Sequence, residues 1–441
     1  MTQYDVGIVG LGYVGLTLAT ALAEVGVRVL GIERRPEVVA ATNAGRPHFS
    51  ETGLGDALRR VTSSGHLRAR AVFAEGEHCD TYIITVGTPL GKDGKARLDM
   101  IEMATSEVAA NMREGALVIL RSTVKIGTAR DVVAPILAQS GKRFDIAMCP
   151  ERTLEGRAMQ ELRELPQIIG ADSQDVADRA TRLFRRLTNT VVQVSSLEAA
   201  EIVKLVDNTY RDVQFAFANE VARLCDAFGV NAQEVISSGK LGYKRTNVPL
   251  PGLVGGPCLE KDPHILYQSA AGRGIELEMT RAGRLVNERQ PYETIEFVSA
   301  EMDRRKINGE GVIAILGMAF KGIPATDDLR GSMSLKVLDA VQKKRPAAVL
   351  RIFDPVIDPD ELAHTIPGVA VCRSLDEAVS GSSVVLIANN HPHLGRVLPV
   401  ALAEKMAPNG FIYDYWNHFS NLSVAELGRC YYAVGNTKEK D

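Results

Sequence analysis

The chain has 441 residues, which predicts two to four domains at roughly 100–200 residues per domain. Hydrophobic residues make up 45% and charged residues 24% of the sequence, a balance typical of globular proteins with a sizeable core. The net charge of −3 argues against a nucleic-acid-binding or membrane-binding surface.

The cysteines and the N-terminus indicate the cellular compartment. The six cysteines are far apart and form no CxxC pair, so we expect neither a disulfide framework nor a metal site. Reduced thiols fit a cytoplasmic protein. The N-terminus MTQYDVGIVGLGYVG lacks the basic segment of a signal peptide, and no apolar run reaches the ~18 residues that span a membrane.

The sequence begins with a strand–helix–strand pattern. Apolar residues predict a buried strand over 6–9, a helix over 14–23 and a second strand over 27–32. Glycines with the spacing G-x-G-x-x-G, at Gly10, Gly12 and Gly15, join the first strand to the helix. The first glycine permits a tight turn, the second lets the backbone approach a pyrophosphate, and the third allows close packing. The N–H groups at the helix N-terminus attract phosphate, so the pattern predicts a dinucleotide site.

Glu33 ends the second strand, 23 residues after Gly10, where an acid can bond ribose hydroxyls. Its carboxylate favours NAD over NADP because it repels a 2′-phosphate. The neighbouring Arg34 and Arg35 keep NADP open as the less favoured alternative.

Further strands are predicted over 81–89, which includes a turn, and over 116–124 and 144–151. In an open α/β sheet the ligand binds at the C-terminal ends of the strands. Candidate site residues at these ends are Thr88, Ser122, Thr123 and Glu151. For the serine and the threonines, capping of the following segment is an equally good explanation.

Residues 196–230 contain no glycine or proline before Gly229, and their apolar residues recur every three to four positions. This pattern predicts a long amphipathic helix that forms an interface as well as part of a core. Lys204, Asn208 and Arg211 lie on one face of it. From this spacing alone, a solvated polar face is favoured over a row of substrate-facing groups.

The C-terminal part predicts a second βαβ sheet without the full glycine fingerprint. Strands are expected over 311–322, 347–357, 382–391 and 410–417. Lys321, Arg330 and the pair Asp327-Asp328 crowd its first loop, where a second nucleotide-like ligand can bind. The charged segment 301–311 is the expected domain boundary.

Cys258 lies in VGGPCLEKDP, between glycines and the charged run Glu260-Lys261-Asp262. The simplest explanation of a lone cysteine is a small buried hydrophobe. Here, however, glycines allow a close backbone approach, the cation of Lys261 favours a thiolate, and Asp262 can position a water or accept a proton.

A thiol beside a nicotinamide indicates aldehyde oxidation. Oxidation of an alcohol needs only a base, whereas an aldehyde first needs a nucleophile to create a carbon that carries a removable hydride. A thiolate does this and gives a thioester that water cleaves. One site with NAD, a base and a cysteine can therefore take an alcohol to a carboxylate.

Several segments together resemble the UDP-glucose/GDP-mannose dehydrogenase family. They occur in the family's order over nearly the whole chain: GLGYVGLTLA, STV, PERTLEG, EIVKLVDNTYRDV, FANE, VGGPCLEKD, LGMAFKGIPATDDLRGS and FDP. The resemblance implies an α/β fold of two Rossmann-like, doubly wound parallel-sheet domains joined by a long central helix, and usually a homodimer. It also implies two NAD-dependent oxidations at C6 of a sugar nucleotide, with a UDP-sugar as the expected substrate.

The domains expected from this resemblance are an NAD-binding domain over 1–195, a central helical dimerisation and catalytic region over 196–302, and a UDP-sugar-binding domain over 303–441. Cys258 resembles the family's nucleophile and Asp262 its partner. Lys204 and Asn208 resemble the residues that handle the first proton transfer and the oxyanion. Glu151 and Thr123 resemble those that order the active-site water.

The resemblance also implies two sets of binding residues. The expected cofactor-binding residues are Gly10, Gly12, Tyr13, Val14, Gly15, Glu33, Arg34, Thr88, Thr123, Lys261 and Arg330. The expected substrate-binding residues are Glu151, Arg152, Leu154, Glu155, Lys204, Asn208, Arg211, Arg245, Gly255, Phe320 and Lys321. Arg245 resembles an arginine that reaches the substrate of the partner subunit.

Several segments, such as NTYRDV and RTNVPLPGLVGG, are closer to the UDP-N-acetylhexosamine dehydrogenases, whereas CLEKD resembles the UDP-glucose and GDP-mannose enzymes. Three residues depart from the family pattern: Glu260 replaces a proline, Gly331 a glutamate and Trp416 an arginine. A one-step hydroxy-acid dehydrogenase and a non-enzymatic sugar-nucleotide binding protein are the alternative functions.

Overall fold

The computed structural model describes residues 4–307, 309–422, 424–428 and 430–437. The chain forms two compact units. The first comprises Met1–Asn208 and His264–Glu276, and the second comprises Thr209–Pro263 and Leu277–Asp441. Within the described residues, no helix combines the length and the apolar character needed to cross a membrane.

The described part of the first unit contains one eight-stranded sheet. Its strands are β1 (Tyr4–Val9), β2 (Val29–Ile32), β3 (Leu67–Arg70), β4 (Cys79–Ile84), β5 (Ala116–Leu120), β6 (Phe144–Met148), β7 (Gln167–Ala171) and β8 (Val191–Val194). Their spatial order is β3-β2-β1-β4-β5-β6-β7-β8. Neighbouring strands are parallel, except that β6 and β7 are antiparallel.

Helices and turns connect these strands. They are α1 (Tyr13–Glu24), α2 (Pro36–Asn43), α3 (Leu54–Ser63), α4 (Asp99–Asn111), a π-helical turn (Ala129–Val133), α5 (Ala134–Ala138), α6 (Ala158–Glu164) and α7 (Gln174–Phe184). Alternate residues of a strand point to opposite faces of the sheet, and each face has its own core. Ile8 and Ile119 belong to one core, whereas Val9 and Val118 belong to the other. Because both faces are covered, the central strands are continuous apolar runs.

The long helix predicted over 196–230 is confirmed as α8 (Leu197–Phe228), which has 32 residues. One face of α8 carries large apolar side chains that are exposed in the single chain. On an ideal helix of 100° per residue they lie within an arc of about 80°. This α8 stripe consists of Ile202, Val206, Tyr210, Phe217, Leu224 and Phe228.

The described part of the second unit contains a six-stranded, all-parallel sheet. Its strands are β9 (Val312–Leu316), β10 (Val349–Phe353), β11 (Ala370–Val371), β12 (Val384–Ile387), β13 (Phe411–Asp414) and β14 (Tyr431–Ala433). Their order is β11-β10-β9-β12-β13-β14. This is the 3-2-1-4-5-6 order of a dinucleotide-binding fold, and the first six strands of the other sheet follow it too. The predicted fold of two doubly wound parallel sheets with a long helix is therefore confirmed.

The remaining helices follow α8 along the chain. They are α9 (Ala232–Lys240), α10 (Gly256–Leu259), α11 (Asp262–Ala271), α12 (Glu278–Arg304), α13 (Met333–Lys344), α14 (Pro359–Thr365), α15 (Leu375–Val379), a 3₁₀ turn (Pro392–Gly395), α16 (Pro399–Ala403) and α17 (Val424–Leu427). Two separate apolar clusters cover the faces of the second sheet. Ile315 and Leu386 lie in one of them, and Leu316 and Ile387 lie in the other.

Candidate active site

The glycine loop of the first unit has three glycines with three different constraints. Gly10 has φ +94°, and a Cβ there would lie 2.9 Å from the side chain of Val86. A Cβ on Gly15 would lie 1.8 Å from the carbonyl oxygen of Gly10, so the helix packs on the turn. A Cβ added at Gly12, by contrast, would have no described atom within 4 Å. The loop therefore has a tight turn, a close contact and an open side, as pyrophosphate binding requires.

Helix α1 begins at Tyr13, directly after this open glycine, and no described side chain caps its N-terminus. The N–H groups of the first turn have no partner within the helix, and the helix dipole adds partial positive charge there. Tyr13 and Val14, both predicted to bind the cofactor, lie at this end. The uncapped N-terminus beside the open glycine fits a dinucleotide pyrophosphate.

Glu33 follows β2 and accepts hydrogen bonds from the N–H of Leu11 and the N–H of Arg35, both at 3.1 Å. The guanidinium of Arg35 also lies on this carboxylate, with Nε 3.1 Å from Oε1. Burial opposes ionisation of Glu33, but the hydrogen bonds and charge of Arg35 hold its pKa below the ordinary value. Glu33 is thus an anion at the position expected for the ribose. Arg35 already pairs with it, and Arg34 contacts the sulfur of Met103 at 3.6 Å.

Hydroxyl groups join the ends of β4 and β5. Thr88 Oγ1 donates to the carbonyl oxygen of Thr123, and Ser122 Oγ donates to that of Val86 at 2.6 Å. Both hydroxyls therefore support loop backbone. The structure brings the predicted residues Thr88 and Thr123 together at one edge of the sheet.

Glu151 is buried and both of its carboxylate oxygens have partners. Arg121 donates to Oε2 from Nη2 at 2.6 Å and from Nε at 3.1 Å. Oε1 accepts the N–H groups of Arg152 and Thr153 at 2.7 and 2.8 Å. Burial raises the pKa of Glu151, but Arg121 and these N–H groups outweigh it, so the pKa lies below the ordinary value. Glu151 is therefore an anion held in one position, and it stabilises the conformation of the loop that follows it.

Arg121, which is 1% exposed, was not predicted from the sequence as a site residue. Its guanidinium also donates to the carbonyl oxygen of Cys149 and to the side chain of Gln167, both at 3.1 Å. The ring of Phe184 lies 5.0 Å from its Cζ. The sequence did carry a signal for Arg121, because it is a charged residue directly after the apolar strand β5. A buried arginine there would need a buried anion as its partner.

The loop over 151–156, here called the PER loop, is held from three directions. Arg152 Nε donates to Asp207 of α8 at 3.0 Å. The N–H of Leu154 donates to Glu161 of α6 at 2.7 Å, and the N–H of Gly156 donates to Glu51 at 2.7 Å. The predicted substrate-binding residues Arg152, Leu154 and Glu155 are thus carried by a well-anchored loop.

On α8, Lys204 and Asn208 are buried, whereas Arg211 is exposed. The predicted row of three polar residues is therefore not uniform, and Arg211 lies outside the buried part. Between Leu197 and Lys204, Glu201 accepts the N–H groups of Gly127 and Ala129 at 2.5 and 2.9 Å. This contact joins α8 to the loop that follows Thr123. Burial raises the pKa of Glu201 to about 7.

In the second unit, Cys258 lies in the short helix α10 and is exposed. All six cysteines are within the described residues, and the other five are buried or half-buried. Gly256 has φ +86° and donates its N–H to the carbonyl oxygen of Gly331 at 2.7 Å. A Cβ on Gly256 would lie 2.3 Å from the ring of Phe320. The glycines before the thiol thus allow Phe320, a predicted substrate residue, to approach the backbone.

Asp262 is fully buried, and Lys261 Nζ donates to its Oδ1 at 2.8 Å. The described contact of Lys261 is thus with its neighbouring carboxylate, although the sequence analysis assigned its charge to the thiol. Arg330 is also paired within its own loop, because Nη2 lies 2.5 Å from Asp328. The Nζ of Lys321 lies 5.2 Å from the ring centroid of Phe320, and Arg245 stacks on Tyr243 at 4.7 Å in an exposed loop.

A second buried arginine supports the cysteine loop, and it too was not predicted from the sequence. Arg284 of α12 pairs with Asp212 of α8, with Nη1 2.6 Å from Oδ1, and both side chains are at most 1% exposed. Arg284 also donates to the carbonyl oxygens of Leu259 at 2.8 Å and Val254 at 3.0 Å. These carbonyls flank Cys258, so one buried ion pair fixes the backbone on both sides of the thiol.

Two of the departures from the family pattern meet in space. Gly331 has φ +64°, and a Cβ there would lie 2.6 Å from Oε2 of Glu260. A side chain at position 331 and the present conformation of Glu260 therefore exclude each other. The third departure, Trp416, packs on Gly252, where a Cβ would lie 2.7 Å from the indole ring, and Nε1 donates to Ala388.

Asp354 directly follows β10 and has the position in the second sheet that Glu33 has in the first. Its Oδ2 accepts the N–H groups of Met318 and Ala319 at 2.7 and 2.9 Å. Its Oδ1 accepts those of Val356 and Ile357 at 2.8 and 3.0 Å. Asp354 therefore serves the backbone of its own domain. The described residues contain no cluster of three or more His, Cys, Asp or Glu side chains arranged to hold a metal ion.

Comparisons with known proteins agree with this geometry. The NAD binding domain of the UDP-glucose/GDP-mannose dehydrogenase family matches residues 4–188. The family's central domain matches residues 198–289, and its UDP binding domain matches residues 314–421. The predicted cofactor, NAD, is thereby confirmed.

Individual relatives cover almost the whole chain. A UDP-N-acetyl-D-mannosamine dehydrogenase of Pyrococcus horikoshii is 33% identical over 407 residues, which are 91% of this chain and 93% of the relative. A solved UDP-D-ManNAc dehydrogenase from Pyrococcus horikoshii has a TM-score of 0.89 at 31% identity and covers 99% of this chain and 100% of its own.

A solved UDP-glucose dehydrogenase from Pyrobaculum islandicum has a TM-score of 0.86 at 27% identity and covers 98% of each chain. The family models and these relatives confirm the predicted resemblance and the predicted enzyme class. The chain therefore belongs to the UDP-glucose/GDP-mannose dehydrogenase family and is an NAD-dependent nucleotide-sugar dehydrogenase.

Proposed function

We propose that this enzyme oxidises the C6 alcohol of a UDP-N-acetylhexosamine to the uronate in two oxidation steps. The observation that carries the proposal is the exposed thiol of Cys258, held on a backbone that the buried pair of Arg284 and Asp212 fixes. A one-step alcohol dehydrogenase has no use for such a nucleophile. The sugar is inferred from relatives named for UDP-N-acetyl-D-mannosamine.

Most of the residues that would hold the cofactor lie in the first unit, and NAD supplies a hydride acceptor for each step when it is bound. The N–H groups at the start of α1 would hold the pyrophosphate, and Glu33 would bond a ribose. The remaining proposed contacts come from Arg34, Thr88 and Thr123, and from Lys261 and Arg330. The Arg35 side chain is 51% exposed, so its guanidinium can move away from Glu33 and leave the carboxylate to accept hydrogen bonds from ribose hydroxyls.

We assign the first step to Lys204 and Asn208, which handle the proton of the C6 hydroxyl and stabilise the developing oxyanion. Both side chains are buried, so their interactions with a substrate oxygen are stronger than they would be in water. The product of this step is the C6 aldehyde.

Cys258 then adds to the aldehyde carbon, and a C–S bond forms to give a thiohemiacetal. The second oxidation converts this adduct into a thioester, and water cleaves the C–S bond to release the carboxylate and the thiol. Asp262 assists by accepting a proton or positioning this water. Glu151 and Thr123 order the water. Arg121 keeps Glu151 ionised and holds its carboxylate in place with a hydrogen bond of 2.6 Å.

The proposed division of the chain follows these tasks: 1–195 binds NAD, 196–302 forms the catalytic and dimerisation region, and 303–441 binds the UDP moiety. The family resemblance also implies substrate contacts in the PER loop and elsewhere in the chain. These are Arg152, Leu154, Glu155, Arg211, Arg245, Gly255, Phe320 and Lys321.

We also propose that the protein is a cytoplasmic homodimer. The α8 stripe supports the dimer, because a row of exposed large apolar side chains on one helix face is typical of a buried interface. The exposed position of Arg245 leaves it accessible to a second subunit. A reducing compartment keeps the thiol of Cys258 available.

The test is a substrate panel with NAD: UDP-ManNAc, UDP-GlcNAc, UDP-glucose and GDP-mannose, with a small hydroxy acid as a control. We expect fastest reduction with a UDP-N-acetylhexosamine and two NAD reduced per sugar consumed. One NAD per substrate would contradict the two-step mechanism and favour the hydroxy-acid alternative. Binding of UDP-sugars without any change in nicotinamide absorbance would favour a binding protein.

A further inference from the structure

A tyrosine–glutamate pair joins the glycine loop to the PER loop within the first unit. The phenol of Tyr13 donates to Oε2 of Glu51. The N–H of Gly156 donates to the same Oε2 at 2.7 Å and lies 3.0 Å from the Tyr13 oxygen. Tyr13 is the first residue of α1, Glu51 precedes α3, and Gly156 ends the PER loop. Three segments distant in sequence therefore meet at one carboxylate oxygen.

The pair is not explained by stability alone. Glu51 is 9% exposed, and among the described residues its Oε1 has no hydrogen-bond partner. Burying an unpaired carboxylate oxygen costs free energy that an apolar side chain would not cost. Burial and the neighbouring Glu51 both raise the pKa of Tyr13 well above its ordinary value, so the phenol remains a donor. The ring of Phe49, 5.0 Å away, packs on Tyr13.

Tyr13 has two attachments that link the loops. Its backbone is at the uncapped N-terminus of α1, where the pyrophosphate is expected, and its side chain is on Glu51. A ligand that fixes the backbone of Tyr13 therefore also fixes the position of its phenol. Gly156 has φ +89°, a conformation that an L side chain rarely adopts, so its peptide is oriented by the backbone and by the bond to Glu51.

We propose that Tyr13 and Glu51 are positioning residues that couple occupation of the glycine loop to the order of the PER loop. This inference rests on the proposed function only in assigning the PER loop to the nucleotide sugar. A coupling free energy between two sites is reciprocal, so cofactor and sugar nucleotide each raise the affinity for the other through this pair.

The first test measures amide hydrogen exchange of residues 152–156 with and without NAD, in the parent and in Tyr13→Phe and Glu51→Gln. Both substitutions keep the size of the side chain. We expect NAD to slow exchange at Gly156 about tenfold in the parent and less than roughly twofold in either variant. Equal protection by NAD in the parent and the variants would overturn the coupling.

The second test separates this role from a general structural one. In Tyr13→Phe the KM for the nucleotide sugar should rise about tenfold, while the Kd for NAD measured without sugar stays within roughly twofold. The double variant should resemble either single variant, because both remove the same link. A loss of NAD affinity that matches the loss of sugar affinity would indicate a structural role and overturn the proposal.

The matched control is Tyr292→Phe, which removes the same kind of bond, a phenol 3.0 Å from Asp339. It should leave protection at Gly156 and both affinities unchanged, and a change as large as that of Tyr13→Phe would count against the proposal. The exchange measurement also separates failure of the proposed function from failure of the coupling. If the parent turned over no nucleotide sugar but NAD protected Gly156 only with the pair intact, the proposed function would fail and the coupling would stand.

Discussion

Arg284 donates to the carbonyl oxygen of Leu259, the residue that follows Cys258, at 2.8 Å. The same guanidinium pairs with the buried Asp212 and donates to Val254 on the other side of the thiol. A planar guanidinium can serve these acceptors at once, whereas an ammonium cannot reproduce the fork. The backbone that carries Cys258, the proposed nucleophile, is therefore held by a residue of another helix.

We expect Arg284→Lys to lower kcat/KM about 10- to 100-fold, because small displacements of a reacting group are costly. The variant should also slow or alter the alkylation of Cys258 by iodoacetamide, which measures the position of the thiol without turnover. Arg289→Lys is the control, because Arg289 lies on the same helix but is exposed. Unchanged alkylation and unchanged kcat/KM in Arg284→Lys would refute the positioning role.

Cys258→Ser should abolish release of uronate while leaving NAD binding intact, since a serine hydroxyl is a poor nucleophile without a dedicated base. The product is measured by mass spectrometry, and the NAD reduced is counted per enzyme. Cys430→Ser, at a half-buried thiol, should behave like the parent. Uronate release by Cys258→Ser at the parent rate would show that the sulfur is not the nucleophile.

The raised pKa of Glu201 predicts a pH dependence of stability. Burial shifts this pKa from 4.5 to about 7, so the folded state binds the proton more tightly than the unfolded chain does. The stabilisation is therefore complete below pH 4.5 and is lost as the pH rises through 7. Nearby Glu198 and Asp131 act in the same direction.

In a series of thermal unfolding measurements between these pH values, the Tm of the parent should fall relative to the Tm of Glu201→Gln as the pH rises. The amide of the variant cannot ionise and keeps an oxygen for the N–H groups of Gly127 and Ala129. Glu102→Gln, at an exposed carboxylate of α4, is the control and should follow the parent. Parallel Tm curves for the parent and Glu201→Gln would contradict the shift.

Position 331 tests whether two of the family departures are coupled. Gly331→Ala should destabilise the protein by about 1–3 kcal/mol, through its positive φ and the contacts of the new Cβ with Glu260 and with the backbone of Gly256. Glu260→Ala should recover part of this loss in the double variant, which denaturant unfolding measures as a coupling energy. Gly368→Ala isolates the backbone contribution, because Gly368 has φ +84° with no described atom near a built Cβ. Strict additivity would show that positions 260 and 331 are independent.

The α8 stripe predicts the oligomeric state. Phe217→Glu and Leu224→Glu each place a charge on this face, and we expect them to convert the proposed dimer into a monomer because an unpaired buried charge is costly. Light scattering after gel filtration measures the mass. Val72→Glu is the control, at a valine that is 63% exposed on the first unit. A monomeric parent protein would contradict the proposed homodimer.

Elements with a strong local pattern could be predicted from the sequence. The glycine fingerprint, the central strands and the long helix all follow from periodicity, and the observed strand β5 lies within the predicted range 116–124. The strands β3, β7, β8, β11 and β14 were missed, because they are short or carry polar residues such as Arg68 and Gln193. The helix α12 was also not predicted as an element, because Pro291 lies inside it and its apolar residues are sparse.

The candidate site was predictable only where a residue signals its own chemistry. Cys258 is conspicuous between its glycines and charges, and the resemblance supplied the roles of Lys204 and Asn208. The ion pairs that hold the PER loop and the cysteine loop could not be predicted in this way, because Arg121 and Glu151 are 30 positions apart and Arg284 and Asp212 are 72 apart. Such pairs form only through the tertiary fold, so no local pattern reveals them.

The carboxylate of Asp354 has a consequence for ligand stoichiometry. Two of the donors on Glu33 come from the exposed side chain of Arg35 and can give way to a sugar hydroxyl, whereas all four donors on Asp354 are main-chain N–H groups of its own domain. The second sheet repeats the strand order of the first, but its Asp354 is not available to bind the ribose of a second coenzyme molecule. Titration should saturate at one nicotinamide nucleotide per polypeptide, and the second sheet, which matches the family's UDP binding domain, is available to a different ligand.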